Sequence, residues 1–133
     1  MKTKLLLWII IYSLAFGCKT EPEYIISFCD NEEVETCKPD RRQFELGSRI
    51  YVKLVAPQGF EANKITGTVY KIQNQKKLKM GSRDFDLSSG ANFILQDIPF
   101  DEFGMQALGT FEVSFTDAQG STIATDQLDI DQP

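Results

Sequence analysis

The chain of 133 residues contains no histidine. That absence removes the Ser-His-Asp triad, the Cys-His pair and every imidazole metal cage. Glycine is sparse: nine residues, scattered at expected turns, with no Gly-rich loop to cradle a phosphate. No window carries a helical apolar period over ten or more residues. Positive charge is outweighed, with a formal net charge of -5. An acidic surface disfavours DNA and RNA, which call for a basic face. It also disfavours electrostatic docking on anionic lipid. The apolar run Leu5 to Phe16 falls short of the roughly 20 residues that a spanning helix needs.

What is present begins at the N-terminus. Lys2 and Lys4 precede that apolar run, Gly17 and Cys18 follow it, and Lys19-Thr20-Glu21-Pro22-Glu23 turns polar. This is the layout of a secretory signal peptide. Leu14-Ala15-Phe16-Gly17-Cys18 resembles the lipobox of bacterial lipoproteins cut by the type II signal peptidase. Gly17 and Cys18 match it. Ala15 stands where a branched aliphatic is commoner, and Phe16 is bulkier than usual. The resemblance implies a signal peptide over 1–17, diacylglycerol on Cys18, and a lipidated cysteine plus tether over 18–23. It implies a place in the bacterial cell envelope, on a membrane, with the outer membrane the expected one. Ala15-Phe16-Gly17 is also similar to the small-x-small site of the type I peptidase, which would leave an unanchored secreted protein. Lys19 to Glu23 resembles the export tract of surface lipoproteins of the Bacteroidetes type, and reads equally as a solvated linker.

Three cysteines are present, Cys18, Cys29 and Cys37. An odd number in an exported protein leaves one thiol to explain. Lipidation of Cys18 leaves the pair Cys29 and Cys37, which a turn near 31–33 would bring together. A disulfide there would contribute roughly 2–3 kcal/mol in the chain-entropy model. Two thiolates without histidine are a poor zinc set, so no cofactor or metal is expected from them.

From Tyr24 onward the pattern is of strands and turns. Segment 24–28 is strand-like. Ile50, Val52 and Leu54 alternate within 49–55. Segments 65–72, 76–80, 83–87, 92–98 and 121–130 are rich in β-branched and aromatic residues or alternate. The cleanest alternation is 109–116, with Phe111, Val113 and Phe115 expected inward and Glu112 and Ser114 outward. Strands every eight to twelve or so residues point to a sandwich or barrel. Leu108-Gly109-Thr110-Phe111-Glu112-Val113-Ser114-Phe115, followed by Asp117-Ala118-Gln119-Gly120, is similar to the last hairpin of bacterial immunoglobulin-like and fibronectin-type domains. The resemblance implies an all-β, immunoglobulin-like antiparallel sandwich of about seven strands over 24–133. The single tryptophan is Trp8, in the leader, so the Cys-Trp-Cys arrangement of antibody domains is missing. A small closed barrel stays open.

Acids pair at Asp84/Asp86, Asp101/Glu102 and Asp129/Asp131, as a glycosidase would need across a cleft, and equally as solvated strand ends. Asp97, Asp101, Glu102 and Asp117 would have to meet at one end of the sandwich to hold calcium, and their spacing fits no EF-hand. Lys71, Lys76, Lys77, Lys79 and Arg83 form a basic strip, read as edge-strand protection or as a docking face for an acidic partner. Phe100, Phe103 and Met105, with Phe60 in another loop, are the candidate binding residues. Phe100 and Phe103 could also plug the end of the sandwich. The expected function is a non-enzymatic binding or assembly module. It would be held to a membrane by lipid and face an envelope protein or glycan, with no nucleic acid. The alternative is a periplasmic inhibitor or small-ligand carrier of barrel type.

Overall fold

The computed structural model describes residues 24–30, 37 and 41–132. The signal peptide (1–17), the tether with Cys18 (18–23) and the turn expected at 31–33 lie outside the described residues. Alternating apolar residues make the strands β1 (Ile25–Cys29), β2 (Gln43–Glu45), β3 (Ile50–Val55), β4 (Lys64–Gln73), β5 (Lys76–Asp86), β6 (Phe93–Ile98), β7 (Gly109–Thr116) and β8 (Thr122–Asp131). A 3-10 segment, Phe100–Ala107, joins β6 to β7 and kinks at Gly104 (φ 59°, ψ -128°), a conformation that suits glycine.

Two sheets form, in the orders β1-β3-β6 and β2-β8-β7-β4-β5. The first, second and fifth long strands make one layer; the third, fourth, sixth and seventh make the other. This is the immunoglobulin-like arrangement, with no fourth strand beside β6 among the described residues. Pairing is antiparallel except between β2 and β8, which run parallel. There are two separate sheets, so the closed barrel is set aside.

The core lies between the layers. Phe28, Leu54, Phe111, Val113, Phe115 and Leu128 are almost wholly enclosed there. β7 has the expected bounds, and its three apolar residues face inward as alternation requires. On the outer face of the small sheet Cys29 is joined to Cys37 by a disulfide, with Cα atoms 5.1 Å apart, and Tyr51 is buried beside it.

Four expectations need correction. Segments 76–80 and 83–87 are one strand, β5, because a bulge opposite Val69/Tyr70 absorbs the irregularity and pairing continues through Gly81 and Ser82. Alternation over 76–80 would put Leu78 and Met80 on one face, and the same bulge separates them: Leu78 is 49% exposed, whereas Met80 packs on the core. Glu112 points outward but is buried, because Lys77 of the edge strand covers it. Lys77 Nζ lies 2.7 Å from Glu112 Oε2, and the contact bends away from the best hydrogen-bond direction. The short distance between opposite charges makes it an ion pair. Lys71 does not join the basic strip. It pairs across to Phe111 on the inward side and is buried, its ammonium 6.0 Å from that ring's centre. The other four cations lie on β5, the edge of the large sheet.

Candidate functional site

The two flanks of the sandwich differ. On one flank β2 pairs with β8. Beside it Arg42 makes a two-pronged ion pair with Asp126 and lies over the Phe28 ring, 5.5 Å from its centre. Asp126 pairs across to Val113, so its carboxylate starts from the inward side and the guanidinium meets it there. A strand and an ion pair thus close that flank.

On the other flank, among the described residues, the small sheet stops at β6 and the large sheet stops at β5. A cleft of about 480 Å³ opens between them. Its floor includes Val113 and Phe115 of the core and Met80 and Phe85 of β5. Gly67 makes this floor possible: a Cβ there would sit 3.1 Å from the Phe115 ring and 3.2 Å from the Phe85 ring. Arg83 stands on the β5 lip, its guanidinium 5.9 Å from the Phe85 ring centre. Gln96, Asp97, Glu102 and Phe103 line the opposite side. Asp97 is already met by Arg49, at 3.2 Å. The cleft thus combines an apolar floor, polar lips of opposite sign, and the outer edge of β6, which among the described residues pairs only with β3.

The candidate residues do not converge. Phe103 lines the cleft. Phe100 is a core residue, packed edge-on to Phe111 with ring centres 4.9 Å apart and to Phe103 at 5.5 Å; it plugs the end of the sandwich and is removed from the binding loop. Phe60 lies at the opposite end, half-buried and stacked on Tyr24 at 6.1 Å. The side chain of Met105, like Cys18, lies outside what is described. Cys29 and Cys37 serve the fold. Asp97, Asp101 and Glu102 sit near one end, while Asp117 caps its own turn at the other, accepting from the Gln119 and Ser121 amides. The eight residues of β7 put roughly 25 Å between those ends.

Met80, Phe85 and Gln96 were not among the candidates for the site, and Arg83 was named only as part of the basic strip. The signal that could have found it is Gly67, a glycine inside a β-branched run, where close approach of another group is the usual reason.

No family model matches the chain, and no curated protein matches it. Among solved structures it is similar to an immunoglobulin-like protein from Pseudomonas aeruginosa, at 12% identity and a TM-score of 0.47, over 85% of this chain and 94% of that one. The fold assignment stands on the strand order, to which this likeness adds nothing.

Proposed function

We propose that the chain is a lipid-anchored, non-enzymatic binding or assembly module of the bacterial envelope, and that the cleft between β5 and β6 receives an extended peptide segment of an envelope protein. The open flank supports this reading. An extended segment could pair with the outer edge of β6 by main-chain hydrogen bonds and drop alternate side chains onto the Val113–Phe115 floor, the usual economy of strand addition. Arg83 and Glu102 on opposing lips would set its register.

A photo-crosslinking residue at Gln96, half-buried on the inward side of β6 and lining the cleft, tests this in cells. Thr125, exposed on β8 and on the outer face of the large sheet, is the control. A discrete protein adduct is expected at Gln96 and none at Thr125. Equal adducts at both sites, or none at Gln96, would remove the cleft from the function.

A further inference from the structure

A second surface has no role in that reading. Ile25 of β1, Val55 of β3 and Phe93 of β6 are register partners, so they form one row across the outer face of the small sheet. Ile25 is 43% exposed and Phe93 47%. The far end of this face carries the Cys29–Cys37 bridge with Tyr51 buried and Leu95 packed on it. Ser27, buried, and Lys53, half-buried, share the middle row with Leu95, and the row at the other end presents apolar side chains.

That apolar row sits at one edge of the face. It lies where β1 begins, at the end of the domain that the tether enters. Cys18 precedes Ile25 by seven residues, a reach of at most about 25 Å. Three loops share this end, 56–63, 87–92 and 117–121, and their only charged residues are Glu61 and Asp117. Asp117 is already engaged by two amides of its own turn. An apolar row in a charge-poor end, a short reach from an acyl chain, suits the headgroup region of a bilayer.

We propose that the Ile25–Val55–Phe93 row rests on the lipid bilayer surface. This inference depends on Cys18 being the lipid carrier. The contact is apolar, because a chain of net charge -5 is not drawn to anionic lipid. It therefore needs no acidic lipid and resists salt, unlike a surface-charge contact. With the face so placed, the β5–β6 cleft opens to the side of the domain.

The mature protein supplies a clean test. Trp8 is the sole tryptophan and leaves with the leader, so an introduced tryptophan is the only one. Lipidated Phe93→Trp, Ile25→Trp and, as control, Leu78→Trp (exposed on the far edge strand) are put into phosphatidylcholine vesicles with bromine-labelled acyl chains. Flotation reads the anchor and quenching reads the docking. Bromolipid should cut emission about twofold or more at positions 93 and 25, as burial just below the headgroups requires, and leave position 78 near its unlabelled value. High salt should change neither. Protein that floats with all three positions unquenched overturns the docking and leaves the anchor standing. Protein that fails to float overturns both. Shielding of position 93 that depends on protein density, without bromolipid quenching, overturns it in favour of a contact between copies.

Discussion

Gln75 occupies the second position of the β4–β5 turn with φ 65°, and Asn74 the first with φ 51°. A two-residue hairpin of this hand wants Asn-Gly, and a side chain in the left-handed region costs roughly 1–2 kcal/mol. Gln75→Gly should therefore stabilise the domain by about 1 kcal/mol, read as a higher denaturant midpoint, with a smaller gain for Asn74→Gly. At β7 Phe111→Ala should cost about 3–5 kcal/mol, while Ser114→Ala stays within about 0.5 kcal/mol. Glu112 no longer belongs with Ser114. Lys77→Ala would leave its enclosed carboxylate without that cation, so it should destabilise more than Lys79→Ala, and adding Glu112→Gln should restore part of the loss. The Glu112 carboxylate, through the polar contact and then by charge attraction, holds Lys77 above its ordinary 10.5. Burial, then the Glu61 charge, raises Tyr24 above 10.0. Both groups keep a proton more firmly when folded. Their contribution is full below those ordinary values and fades as pH rises through the folded ones. Asp30 is the opposite case: a hydrogen bond from Arg41 holds it below 3.8, so its contribution is present above that value and fades as pH falls through the folded one. That exposed pair counts for little, so urea midpoints should drop chiefly on the alkaline side, and less steeply in Lys77→Ala/Tyr24→Phe.

At the scale of elements, β7 was legible because Phe111, Val113 and Phe115 alternate with polar residues, and period 2 states both strand and facing. β3 was legible for the same reason. β5 was not, because its bulge shifts the phase of alternation between Leu78 and Phe85 and makes one strand look like two. Lys71 was misread because the sequence cannot tell that a lysine between two apolar neighbours faces a core ring rather than water. The cleft was least legible: it opens where no strand of the described residues lies beside β6, and it needs residues from both layers. Two measurements belong here. Gly67→Ala should cost about 1–3 kcal/mol, as crowding against close-packed rings does, and should weaken any crosslink at Gln96. Reducing the Cys29–Cys37 bond should lower stability by roughly 2–3 kcal/mol, read as the gap between oxidised and reduced denaturant curves.

For the molecule as a whole, the order of parts along the chain matters more than any one contact. Under the lipoprotein reading, mass spectrometry of the mature N-terminus should find diacylglycerol on Cys18; a free thiol there, in protein soluble after lysis, would sink the anchor. With the anchor in place the N-terminal side is held and any partner grips elsewhere, so the domain works under load. Tension entering from the tether passes along β1 to Cys29. There the sulfur bridge carries it straight to Cys37, and the segment between cannot pay out as slack. The next strand on the line is β2, which runs parallel to β8. Under the lipoprotein reading, that small covalent loop would act as a stay, fixing the length of chain between the membrane and β2.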